Sequence, residues 1–69
     1  MKLSARNILK GKVKGIVVGA VNSEVTIVLP GGAEVVSVIT NVSAQALKLR
    51  KGKKVYAVIK ASSIILGVD

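Results

Sequence analysis

The chain has 69 residues, 51% of them hydrophobic and only one aromatic, and its 11 Lys and Arg against 3 Asp and Glu give a formal charge of +8. With no Cys and no His, disulfides and thiolate or imidazole metal sites are excluded, and three carboxylates are too few for a hard-cation cage. The same inventory leaves almost nothing for general acid–base or covalent catalysis, so the chain reads as a non-enzyme.

The first segment with a message is "SARN", Ser4-Ala5-Arg6-Asn7, just ahead of a strand. It groups a hydroxyl, a guanidinium and an amide, which suits either local turn bonding with Arg6 in solvent or the crowding of donors around an anion. "KGKVKGIVVGA", residues 10–20, reads as the first strand, interrupted by Gly11, Gly15 and Gly19. Glycine inside a strand marks a bulge or a sharp bend, which a small barrel needs when it curls. "AVNSE" is a turn. "EVTIVLP" then alternates, with Val25, Ile27 and Leu29 on one face and Thr26 and Val28 on the other, until Pro30 stops it. Gly31-Gly32 suits the positive φ angles of a two-residue hairpin turn, and residues 33–40 return as the third strand.

"TNVSAQALKL", residues 40–49, is the one helical stretch: Val42, Ala46 and Leu49 share a short face. Thr40, Asn41 or Ser43 can cap its start, Gly52 follows its end, and the basic run Arg50-Lys51-Lys53-Lys54 suits the negative end of its dipole. "KVYAVIKA" and "SSIILGV" are the last two strands, joined by a bend at Ala61-Ser62-Ser63. Three strands, a short helix and two strands are the order of an OB-type barrel. The expected fold is therefore all-β with one short helix, a five-stranded OB-like barrel occupying residues 1–69 as one domain.

A chain this short has a marginal core unless something helps it. Disulfides and metals being excluded, the helper that remains is another subunit, and strands such as "VVSVIT" and "VYAVIK", apolar on both faces, point to an obligate homo-oligomer. No apolar run is long enough to cross a bilayer, and "MKLSARNILKGK" lacks the apolar centre of a signal peptide. A cytoplasmic protein with no membrane partner is expected.

The excess positive charge implies an anionic partner. Three stretches supply donors for one. Beside "SARN" stand Thr40 and Ser43 at the helix start, where free backbone N–H groups gather, and Lys60-Ala61-Ser62 at a strand bend. Ammonium, guanidinium, hydroxyl and N–H groups with no carboxylate among them suit an oxyanion that carries no proton. Each has a local alternative: Thr40 and Ser43 as helix caps, Lys60 as an exposed strand-end lysine. A nucleic-acid-binding OB module is permitted by fold and charge, but base-stacking platforms need aromatic side chains and Tyr56 stands alone.

"SARN", a Val-rich strand, a Gly-Gly hairpin, "SVIT…S" and a closing "VIKAS" together resemble the molbindins, small cytoplasmic molybdenum-pterin-binding proteins built from a single Mop domain. Related domains sit in molybdate-responsive regulators and molybdate-transporter ATPases. The resemblance covers essentially the whole chain. It implies a homo-hexamer, a trimer of dimers, that stores molybdate or tungstate at subunit interfaces. Carried over by position, Ser4, Ala5 and Arg6 would come from one subunit, Lys60, Ala61 and Ser62 from another stretch, with Thr40 and Ser43 nearby. Arg6 and Lys60 would supply charge, the four hydroxyls would donate, and Ala5 and Ala61 would offer backbone N–H groups. A second kind of site near the threefold axis is also implied, for which Asn22 and Ser23 are candidates. The family's older name suggests a pterin carrier, against which the scarcity of aromatic and carboxylate partners argues. The chain departs from several relatives in the basic "KLRKGKK" that ends its helix.

Overall fold

The computed structural model describes all residues, Met1–Asp69. Four strands form one antiparallel sheet: β1 (Asn7–Val18), β2 (Asn22–Val28), β3 (Glu34–Thr40) and β4 (Lys54–Ile59), in the order β3-β2-β1-β4. A short helix α1 (Asn41–Ala46) separates β3 from β4.

β1 is the spine, because it pairs with β2 along one edge and β4 along the other. It starts at Asn7, three residues before the position read from the glycine-rich run, because β4 pairs with all of Asn7–Lys12. The interrupting glycines do what strand glycines do. Between Val13 and Gly15 the β1–β2 register shifts, leaving Lys14 as the extra residue of a bulge. Ahead of it Val13 points into the core; beyond it the even-numbered Ile16 does, so the bulge reverses the pleat. At Gly11 an added Cβ would lie 2.6 Å from Ile27 Cγ2 and 2.7 Å from the Val28 carbonyl oxygen. Only glycine lets β1 and β2 approach so closely, the kind of contact a curled sheet uses glycine for.

The core is small: Val13, Val25, Ile27 and Ala57, with Ile16, Leu29, Val35, Ile39, Leu49 and Val55 packed around it. The alternation of "EVTIVLP" holds, since Val25 and Ile27 are buried and Leu29 packs beside them. The "AVNSE" turn is shorter than expected, because Asn22 and Ser23 already belong to β2. Ser23 is one of five buried residues, and its Oγ donates to Asn41 Oδ1 at 2.5 Å. Asn41 Nδ2 in turn donates to the Gly19 carbonyl at 2.9 Å, so this polar pair ties the β1–β2 turn to the helix start.

The hairpin holds three residues rather than two: Leu29 N–H donates to Ala33 O, leaving Pro30, Gly31 and Gly32 in the loop. Both glycines adopt positive φ, 93° and 99°. The helix is shorter than the stretch read from periodicity. Thr40 caps it, accepting from the Ser43 N–H at 3.0 Å, and it ends at Ala46 because Lys48 takes a left-handed φ of 53°. Val42 therefore stays exposed while Leu49 reaches the core. Of the basic run, Lys53 does serve the helix end, its Nζ donating to the carbonyls of Leu47 and Lys48. Gly52, at φ 89°, turns the chain into β4 and is not the helix stop.

The expected fifth strand has no ladder here. Ala61–Ser63 form a single 3₁₀ turn, and the chain that follows joins no ladder, with Ile65 94% and Val68 99% exposed. The sheet is accordingly an open, curled half-barrel. Its two edges, β3 and β4, flank an apolar slit lined by Ile27, Val35, Val36, Val58 and Ile59 among others.

Candidate functional site

The β1–β4 ladder begins with Asn7 opposite Ile59. Just beyond this pair, where the ladder ends, Ser4-Ala5-Arg6 and Lys60-Ala61-Ser62 come together. These six residues line one cleft of about 320 Å³, and no other residue does. Two stretches more than 50 positions apart in the chain thus meet because β1 and β4 pair. Asn7 fastens the base of the cleft: its Nδ2 donates to the Ile59 carbonyl at 3.3 Å, so it is a positioning residue and not part of the lining.

Local structure then exposes the donors. Beyond β4 the chain leaves the ladder in the 3₁₀ turn, closed by the Ser63 N–H donating to Lys60 O at 2.9 Å. A first turn has no preceding carbonyls to bond, so the N–H groups of Ala61 and Ser62 make no backbone hydrogen bond; nor does that of Ala5. Arg6 and Lys60 are exposed and neither belongs to an ion pair, the one salt bridge being Lys14–Glu34 at 2.7 Å. Neither side chain of the Ser4 and Ser62 pair is engaged by the protein. The cleft therefore offers two cations, two hydroxyls and free N–H groups, with no carboxylate in its lining. It can hold a compact, fully deprotonated oxyanion.

Thr40 and Ser43 stand elsewhere. Thr40 pairs with Asn22 at the far end of β2, beside the Val18 end of β1 and a full strand away from Asn7. Within one chain they cap α1, with Thr40 Oγ1 and Ser43 Oγ 2.9 Å apart, and do not line the cleft. Asn22 and Ser23 lie at that same far end, Ser23 buried and committed to Asn41. Periodicity could not reveal that Asn7 holds the two halves together, although an amide at the first residue of a strand is the signal that points to it.

The TOBE domain family matches residues 3–66. A probable molybdenum-pterin-binding protein of Haemophilus influenzae is 46% identical over 69 residues, all of both chains. Among solved structures, MopII from Clostridium pasteurianum superposes with a TM-score of 0.92 at 36% identity, covering 97% of this chain and 100% of that one. The cytoplasmic molybdate-binding protein ModG, solved with molybdate bound, superposes with a TM-score of 0.97 at 54% identity over 100% of this chain and 49% of its own. These names describe binding, and none describes catalysis.

Proposed function

The chain belongs to the TOBE domain family, among the small molybdenum-pterin-binding proteins its sequence resembles, and we propose that it binds and stores molybdate in the cytoplasm without catalysis, taking tungstate in the same way. The observation that carries this is the cleft of Ser4, Ala5, Arg6, Lys60, Ala61 and Ser62, which gathers donors of every kind and no acceptor charge. Molybdate is a dianion with no proton to donate near neutrality, so a carboxylate would only repel it. Tungstate has the same shape and charge and meets the same donors. The cleft has no aromatic side chain, so a pterin ring is not part of the reading.

The working form is a homo-oligomer, a trimer of dimers, of one Mop domain per chain. The exposed segment Ile64–Val68 is the missing fifth strand, and it docks into the apolar slit between β3 and β4 of a second copy, closing the barrel. Four core residues cannot support an independent domain, whereas a strand contributed by a partner buries both itself and the slit. Thr40 and Ser43 then join the anion from a neighbouring copy whose sheet runs the opposite way, because within one chain they lie at the other end.

The test is calorimetric titration with molybdate in low-phosphate buffer, repeated with excess sulfate. Each charge opposite a dianion at about 4 Å contributes on the order of 1–2 kcal/mol in an exposed cleft. Arg6→Ala and Lys60→Ala should therefore each weaken binding roughly 5- to 30-fold. Full affinity in both variants would remove this cleft as the site, and displacement by equimolar sulfate would remove molybdate as its particular ligand.

A further inference from the structure

A second cationic cleft lies on the outward face of the same two strands, and the proposal for it does not rest on the molybdate reading. The β1–β4 register sets Lys10 opposite Tyr56 and Lys12 opposite Lys54. Together with Pro30 and the backbone at Gly11 and Val55, these side chains line a cleft of about 350 Å³. Lys10 is four residues from Arg6, roughly 13 Å along an extended strand, so the two clefts are separate.

The charges here are unbalanced in a way the fold does not require. Like charges directly across an antiparallel pair are destabilising, and Lys12 faces Lys54 with no carboxylate in the lining. Neighbouring lysines are treated differently: Lys14 is paired with Glu34, and Lys53 is spent on the carbonyls that end α1. Lys10, Lys12 and Lys54 have no such partner. The one aromatic residue of the chain sits among them, half exposed and also bordering the slit between β3 and β4, with Lys10 Nζ over its ring, 6.0 Å from the centroid. One ring face, one proline and three ammonium groups in a volume suited to a small ligand describe a particular chemistry. Such a cleft fits a planar heteroaromatic ring against Tyr56 and a chain of two or three phosphates across Lys10, Lys12 and Lys54. A single platform takes one base; a nucleic-acid strand would need several.

We propose that this cleft binds a nucleoside di- or triphosphate. The experiment is titration of the whole protein with ATP, without divalent cations, against tripolyphosphate, adenosine and an eight-nucleotide oligothymidylate as comparisons. ATP should saturate and bind about tenfold more tightly than tripolyphosphate, the difference being the stacked base. Tyr56→Val should erase that difference while leaving tripolyphosphate binding in place. Lys12→Ala and Lys54→Ala should each weaken ATP roughly two- to fivefold, the worth of an exposed ion pair. Arg6→Ala should leave ATP binding unchanged, and Lys54→Ala should leave molybdate binding unchanged. Equal binding of ATP and tripolyphosphate, tighter binding of the oligonucleotide, failure to saturate at millimolar ATP, or competition of ATP by molybdate would each overturn the proposal.

Discussion

Replacing Gly11 by Ala tests the close approach on which the curl of β1 depends. The new methyl would lie 2.6 Å from Ile27 Cγ2, 2.7 Å from the Val28 carbonyl oxygen and 3.1 Å from Leu29 Cδ2. Ile27 is a core residue and the carbonyl belongs to the backbone of β2, so neither can swing aside cheaply. Overpacking of this kind costs about 1–3 kcal/mol, offset by about 0.5–1 kcal/mol from the loss of glycine's freedom in the unfolded chain. The net loss is roughly 1–2 kcal/mol, which for a domain of this size lowers the melting midpoint by about 5–15 °C. Gly15 is the internal control. It sits in the same strand, without positive φ, and an added Cβ meets nothing within 4 Å. Gly15→Ala should therefore hold or raise the midpoint. Thermal unfolding followed by circular dichroism, at one fixed protein concentration so that assembly does not shift the midpoint, distinguishes the two. If both variants melt together, the approach of β1 to β2 does not limit stability and the account of the curl is wrong.

Three further outcomes are expected. Thr40→Ala removes the acceptor for the Ser43 N–H and should cost about 1 kcal/mol in urea unfolding, with Thr40→Ser restoring most of it. Asn41→Leu strands the buried Ser23 hydroxyl and should cost about 1–3 kcal/mol by the same measurement, and combining it with Ser23→Ala should recover part of the loss because both partners are then apolar. Deleting residues 64–69 removes the proposed fifth strand, so the shortened chain should run as a smaller species in light scattering; an unchanged mass would show that the tail plays no part in assembly.

Much of the architecture is legible in the chain because it is local. Val25, Ile27 and Leu29 alternate, Gly31 and Gly32 need positive φ, and Thr40 precedes a Ser three residues on; each of these is decided within a few residues. The glycines of β1 likewise announced a bend or bulge, and a bulge is present at Lys14. What could not be read is anything set by distant partners. Ser23 looked like a turn residue, yet it is buried because Asn41, 18 positions away, satisfies it. β1 begins at Asn7 because β4 is there to pair with it. Residues 64–68 have the composition of a strand and no ladder, since strand composition does not supply the neighbour that a strand requires. The candidate site was legible as three motifs through family resemblance; that Ser4-Ala5-Arg6 meets Lys60-Ala61-Ser62 while Thr40 and Ser43 do not join them in one chain follows only from register.

The placement of charge explains why β1 and β4 should bear the binding chemistry. Of the 3 carboxylates in the chain, one is matched to Lys14, and Lys53 is held by carbonyls. Five further cations line clefts on this strand pair or its continuation, Arg6 and Lys60 at the ladder mouth and Lys10, Lys12 and Lys54 on its outer face. A six-residue ladder fixes their relative positions before any ligand arrives, so an incoming anion need order only side-chain ends. Positive charges held together by backbone pairing repel one another, and an anion that neutralises them stabilises the strand pair that holds them. Binding and the folded state are then linked: ligand at either cleft should raise the melting midpoint, as any ligand selective for the folded state must.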